Sequence, residues 1–223
     1  SWQKQKKIYS IAENSLIPFF RSIGINKIKY LILTHGDFDH MGEGVNLINN
    51  FKVENVILNC GEFNTLEINL LKLLKEKNIK YYSCINNIKT SDFTLNFLNT
   101  KKYNNENDNS SVIYFDYNNY KFLFMADASK KVEENILNKY YLDKVDFLKV
   151  GHHGSNTSTS EKFVSKISPK YSIISVGKNN RYGHPKIEVL NSLKSSNIYR
   201  TDIDGSIEIK LSQKDYNITT YSP

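Results

Sequence analysis

Only two of the 223 residues are cysteine, Cys60 and Cys84. That is too few for a disulfide framework or a cysteine-rich zinc site. They close the runs "VILNC" and "YYSC", so each reads as a small buried residue. No stretch approaches the roughly 20 apolar residues that cross a bilayer. No signal peptide opens the chain, which starts on the basic segment "SWQKQKKIYS" as an excised domain would. Repeats and low-complexity linkers are missing too, so one mixed α/β domain over residues 1–223 is the simplest reading. A calcium loop starting at Asp37 is also excluded. Its fifth position is Met41 and its twelfth Ile48, where oxygen ligands are required.

What is present is ordinary globular material. With 39% hydrophobic and 24% charged residues, the chain has enough apolar content to bury a core, and disorder is not expected. A net charge of +7 favours an anionic partner, although scattered lysines serve solubility equally well.

The elements alternate along the chain. "KYLILT" and "VENVILN" (53–59) are short, β-branched and apolar, as buried strands are. Between them, Val45, Leu47, Ile48 and Phe51 fall at helical spacing. The clearest helix covers 64–78, with Asn64 as cap, Glu67 three residues on, and a stripe of Leu66, Leu70, Leu73 and Leu74. Residues 104–110, "NNENDNS", read as a loop. "SVIYFDY" and "KFLFMA" read as a hairpin turning at Asn118, Asn119 and Tyr120. A helix at 129–140 and a strand at 145–150 follow. "SEKFVSKI", "YSIISV", "KIEVLNSLKSS" and "SIEIKL" then continue as helix, strand, helix and strand, with Asp204-Gly205 as a tight turn.

The five histidines, at 35, 40, 152, 153 and 184, all lie past a strand or in a glycine-flanked loop. In "LTHGDFDH", His35, Asp37 and Asp39 alternate. In an extended turn such residues point one way and converge on a cation, with His40 adjacent. "FLFMAD" puts Asp127 at the mouth of a strand, and "FLKVGHH" does the same for His152 and His153. "SVGKNNRYGHP" does so for His184. Strand carboxyl ends are where α/β sites gather. Each feature has a plain alternative: a polar loop at 35–40, a helix cap at Asp127, a surface pair at 152–153, a turn residue at 184. Their shared location argues against all the alternatives at once. Imidazoles and carboxylates without thiolate suit two divalent ions, Zn²⁺ or Mn²⁺, with Asp127 as the natural bridge. The chemistry of such a pair is hydrolysis.

"LTHGDFDHMGE" resembles the HxHxDH signature of the metallo-β-lactamase fold. With "NDNSSVIYFDYNNYKFLFMAD", "DFLKVGHHGSNTS" and "SVGKNNRYGHP…YRTDIDGSI", the chain over 12–210 resembles the C-terminal metallo-β-lactamase-like domain of the ComEC competence family. That resemblance implies an α/β fold, an αβ/βα sandwich. The family usually opens with two strands and a DVGQGD-like stretch, which this chain is expected to lack. The resemblance assigns His35, Asp37, Asp39, His40, Asp127 and His152 to two metal ions. His153 becomes an outer partner or the alternative ligand. Asp39 and His184 are placed at the chemistry, with Lys178 and Arg181 meeting substrate phosphate. Three departures accompany it. Asp37 replaces a histidine, as is usual in the ComEC-like branch, and Ala126 stands where glycine commonly precedes the bridging aspartate. No histidine falls between 40 and 152, so Asn107, Asp108, Asn109 or Ser110 must substitute, or one metal binds weakly; Asn109, like His153, is an outer partner or alternative ligand.

The implied activity is a nuclease degrading the non-transported DNA strand during uptake. The implied setting is a soluble part of a bacterial plasma-membrane protein, working with other parts of the uptake machinery. DNA would be bound without sequence preference, through phosphate. Two rivals stand beside this reading: a small-ester hydrolase of the same fold, such as a phosphorylcholine esterase or lactonase, and a metal-poor module that only binds DNA or protein.

Overall fold

A computed structural model describes residues 9–222. The basic opening segment through Ile8 lies outside them. Two compact units emerge, one running to Ser83 and the other starting at Cys84. Among the described residues no helix is long and apolar enough to cross a membrane.

In the first unit, helix α1 (Ile17–Ser22) precedes three parallel strands, β1 (Lys27–Ile32), β2 (Lys52–Leu58) and β3 (Lys80–Ser83), paired in that order. Helices α2 (Phe38–Met41) and α3 (Gly44–Asn50) connect β1 to β2, and α4 (Thr65–Glu76) connects β2 to β3. Parallel neighbours need such crossovers. Leu33, Met41, Ile48, Val56, Leu70 and Leu74 close the core beneath them. The expected capping box is formed: Asn64 Oδ1 accepts from the N–H groups of Leu66 and Glu67, and Glu67 Oε2 accepts from Asn64 N at 2.8 Å. The same Asn64 donates to Gly36 O at 2.8 Å and so ties α4 to the loop after β1.

The second unit carries a seven-stranded sheet in the order β10-β9-β8-β7-β6-β5-β4. Its strands are β4 (Asn87–Lys89), β5 (Thr94–Phe97), β6 (Ile113–Tyr117), β7 (Tyr120–Phe124), β8 (Phe147–Lys149), β9 (Tyr171–Ile174) and β10 (Asn197–Arg200). Pairing is antiparallel from β4 to β7 and parallel from β7 to β10. The β6–β7 hairpin turns on Asn118 and Asn119, both left-handed at φ 51° and 67°, so Tyr120 already belongs to the strand. Helices α5 (Lys130–Lys139), α6 (Glu161–Ile167), α7 (Ile187–Ser192) and α8 (Thr201–Asp204) complete the unit, with a separate ribbon of β11 (Ser206–Leu211) and β12 (Tyr216–Tyr221).

Strand alternation decides the two faces of the large sheet. Leu123, Leu148 and Ile174 join Val132, Ile136, Phe163 and Ile167 in the main core. Phe115, Phe122, Phe147 and Tyr171 stack in a row on the other face, with centroids 4.7, 4.8 and 5.4 Å apart.

Two expectations are corrected. Neither cysteine is a free thiol: both are disulfide-bonded, and Cys84 is exposed while Cys60 is buried. An apolar run measures burial and carries no information on thiol pairing. The Asp204-Gly205 turn exists, with Gly205 at φ 70°, but residues 201–204 in front of it already form a helical turn.

Candidate metal centre

In the first unit the loop leaving β1 becomes helical sooner than expected. Asp37 is extended (φ −73°, ψ 148°), and its carbonyl accepts from the N–H groups of His40 and Met41, both at 3.0 Å. Asp39 and His40 therefore project from α2. The simple alternation of His35, Asp37 and Asp39 fails at its last member, because the chain turns there to satisfy the Asp37 carbonyl.

The turn still gathers the side chains. The His35 and His40 rings lie 4.1 Å apart, and Thr34 Oγ1 reaches the Nδ1 of both, at 3.2 and 3.4 Å. Their Nε2 atoms face carboxylates: His35 to Asp37 at 3.6 Å, His40 to Asp39 at 3.6 Å. Glu43, just beyond, accepts from Ser10 Oγ at 2.7 Å and from the N–H groups of Ile11 and Ala12, tying the stretch before α1 to this loop. The Ser10 hydroxyl, with those N–H groups, holds the Glu43 carboxyl below its ordinary value.

In the second unit, Asp127 follows β7 and is buried. Its N–H donates to Ser110 Oγ at 3.1 Å. Ser129, without a side-chain capping bond, occupies the N-cap position of α5, so Asp127 is not the helix cap. His152 and His153 both sit on a tight turn after β8 with left-handed backbones, φ 46° and 53°. His152 Nε2 lies 3.6 Å from Asp127 Oδ2, and its Nδ1 shares a hydrogen bond with Thr157 Oγ1 at 3.1 Å. His153 Nδ1 meets Ser175 O at 2.8 Å, and His153 and Asp127 offer ligand atoms within 4.8 Å of each other. Both histidines thus accompany Asp127. The stronger anchor, a backbone carbonyl on Nδ1, belongs to His153 rather than to the preferred His152.

His184 lies beside them, its ring 6.1 Å from that of His152. Its buried Nδ1 has no hydrogen-bond partner among the described residues. Burial, reinforced by His152 and Lys186, lowers the His184 pKa and favours the neutral ring. Lys178 and Arg181 are exposed on the same loop.

Asn109, the expected outer partner or alternative ligand, is tied to Tyr103. Its Oδ1 accepts from Tyr103 N at 2.8 Å and its Nδ2 donates to Tyr103 O at 3.1 Å, so the amide is consumed by backbone. Neighbouring Ser110 instead positions Asp127. The missed contributors are Thr34, Thr157 and the Ser175 carbonyl. A hydroxyl beside a histidine was visible in "LTH"; the carbonyl had no signal in sequence.

The donor chemistry fits a divalent metal. The rings of His35, His40, His152 and His153 have Nδ1 held by an oxygen, the outer contact that orients a metal-ligating imidazole. The 3.6 Å Nε2–carboxylate spacings are too long for hydrogen bonds. They are close to what two ligands, each about 2.0–2.2 Å from one tetrahedral zinc, require.

The chain is similar to known proteins. The Metallo-beta-lactamase superfamily profile matches residues 2–58. ComE operon protein 3 of Bacillus subtilis (strain 168) is 32% identical over 229 residues, covering 100% of this chain and 30% of that protein. Competence protein ComA of Neisseria gonorrhoeae is 28% identical over 203 residues, covering 90% and 28%. The chain matches the metallo-β-lactamase-like domain of the ComEC family. This ComEC-like chain spans under a third of the length of those curated relatives. The metallo-beta-lactamase fold protein YhfI from Bacillus subtilis superposes with a TM-score of 0.51 at 10% identity, covering 83% of this chain and 80% of that one; the two share a fold. Fold and donor set together support a metal-dependent hydrolase. Ala126, where the resemblance leads one to expect glycine, is left-handed at φ 48°. The conformation persists, at the steric cost of a Cβ.

Proposed function

We propose that this chain is a metal-dependent phosphodiesterase that degrades DNA, cutting the non-transported strand during competence uptake. The observation that carries the reading is the set of oxygen-anchored imidazoles facing carboxylates in both units, on a fold matched to competence proteins. In this proposal His35, Asp37, Asp39 and His40 of the first unit, and Asp127 with His152 or His153 of the second, are the metal ligands, for two divalent ions, Zn²⁺ or Mn²⁺. Such ions supply an acidified water and a polarised phosphoryl oxygen.

The chain's own residues do the remainder. Ser110 fixes the Asp127 backbone, and Thr34 and Thr157 set the ring orientations. Neutral His184 serves as a proton donor or as a phosphate contact. Lys178 and Arg181 add sequence-independent attraction for the phosphate backbone. The net charge of +7 supports a polyanionic substrate over a small neutral ester. Within the larger protein, other parts of the uptake machinery are the partners, and a plasma-membrane location is the setting.

The test is metal content and DNA cleavage on one metal-reconstituted preparation. Asp39→Ala and Asp127→Ala should each lose metal and cutting. Unchanged cutting by both variants sinks the nuclease reading, and DNA binding with no retained metal would favour a binding module.

A further inference from the structure

We infer that Tyr182, with Arg181 laid over it, is a stacking platform for an unpaired nucleobase beside His184. The inference rests on the nuclease reading and narrows its substrate to strands whose bases are free to leave the stack. Three side chains form a short ladder on the loop after β9. The Arg181 guanidinium carbon sits 4.8 Å from the Tyr182 ring centroid, and Arg181 Nη2 donates to the Tyr182 hydroxyl at 2.6 Å. The Tyr182 and His184 rings are 5.9 Å apart and nearly parallel, at 17°. His184 in turn neighbours His152. The ladder runs from the His152–His153 turn to an aromatic side chain that is 60% exposed.

A tyrosine so exposed is not there to fill a core, and the loop does not need it for closure. Asn180 does that work. Its Oδ1 accepts from His184 N at 2.9 Å, and its Nδ2 donates to His184 O at 2.7 Å and to Gly177 O at 3.2 Å. Lys186 Nζ bonds the Tyr182 carbonyl at 2.8 Å, while its own N–H bonds Gly154 O at 2.9 Å. The backbone is therefore braced independently of the Tyr182 ring. Rigid exposed aromatics flanked by cations bind single strands, because every base has a π-face and every nucleotide a phosphate. Arg181 can cover the base or leave the ring for phosphate, and an arginine on an aromatic face does either. Duplex DNA keeps its bases stacked inside and offers Tyr182 nothing but backbone.

The experiment uses the full chain and two single-stranded oligomers of equal length, one of oligothymidylate and one abasic. Anisotropy of each labelled oligomer is read for wild type, Tyr182→Ala, Tyr182→Phe and Arg181→Ala. Tyr182→Ala should weaken oligothymidylate binding about tenfold. It should leave abasic binding unchanged, and Tyr182→Phe should restore the wild-type value. Arg181→Ala should weaken both oligomers, since the guanidinium also meets phosphate. Equal loss on both oligomers in Tyr182→Ala, or no preference of wild type for bases over abasic sites, overturns the platform. Cleavage of the same oligomers by metal-loaded protein is scored separately. Base-dependent binding without cleavage retains the platform and rejects the nuclease, and cleavage without base dependence does the reverse.

Discussion

His153 Nδ1 lies 2.8 Å from the Ser175 carbonyl oxygen, just past the end of β9. A carbonyl only accepts, so Nδ1 carries the proton, and in the neutral ring Nε2 keeps its lone pair. The ring is in the tautomer a metal requires, fixed by a contact that side-chain substitution at Ser175 leaves in place.

The first prediction concerns which histidine binds. His153→Ala should abolish metal retention through dialysis. Thr157→Val, which frees only the His152 Nδ1, should leave metal retention near the wild-type level. Elemental analysis and competition with a chelating dye measure both. If His153→Ala holds its metal while His152→Ala loses it, the preference between the two rings is reversed.

Gly36 should tolerate no side chain. A Cβ there would come within 2.2 Å of Asn64 Nδ2 and 2.7 Å of Glu67 Oε2, the two members of the α4 capping box. Gly36→Ala has to break that box or shift the loop, at a cost of about 1–3 kcal/mol. Urea midpoints should fall accordingly. Asn64→Ala, which loses both the cap and the bond to Gly36, should match or exceed the loss.

Glu133 is buried inside the second unit, where its carboxylate accepts from Thr159 N, Ser160 N and Ser160 Oγ. Glutamine there would turn an amide N–H₂ toward an N–H donor. Glu133→Gln should therefore destabilise by about 1–3 kcal/mol. It should also raise exchange at the Thr159 and Ser160 amides. Burial holds the Glu133 pKa above its ordinary value of 4.5. A raised carboxylate means the native state keeps a proton that the unfolded chain has released, so this residue's stabilisation is full below 4.5 and fades as pH rises through the native value.

Lys149 gives the opposite slope at alkaline pH. Burial lowers its ammonium from 10.5 to about 8, with Asp127 partly opposing the shift. Between those values the unfolded chain holds a proton that the native state has lost, so stability climbs as pH rises across the window. Below it, the desolvated charge penalises the fold by up to about 3 kcal/mol. Metal-free Lys149→Met should be more stable than wild type at pH 7. The advantage should be gone above pH 10.5. Denaturation at several pH values in chelator reads both.

Much of the fold was legible wherever burial imposed a pattern. β2 and the β6–β7 hairpin follow from β-branched and aromatic runs with asparagines between them. Helix α4 follows from its capping box and leucine stripe. Strands β3, β10 and β12 were not visible. Lys80–Ser83 is wholly exposed, and Asn197–Arg200 and Tyr216–Tyr221 mix polar and aromatic residues without a buried face to set a period. They exist because a neighbouring strand offers an edge, which is tertiary information. The same limit applies to the site. The positions of the histidines and aspartates could be read from strand ends, whereas the tautomer of His153 and the diversion of Asn109 depend on partners remote from the motif.

The bend at His152 and His153 places two non-glycine residues in succession in a conformation that costs roughly 1–2 kcal/mol apiece. Neighbouring bonds keep it shut, from His152 N to Ala126 O and from Ser155 N to His152 O, both at 2.8 Å. Glycine at both positions would relax the crowding and yield a sturdier molecule with no imidazole to offer. The chain forgoes robustness at the spot where its chemistry is housed, and selection for thermal tolerance alone would erode that spot first.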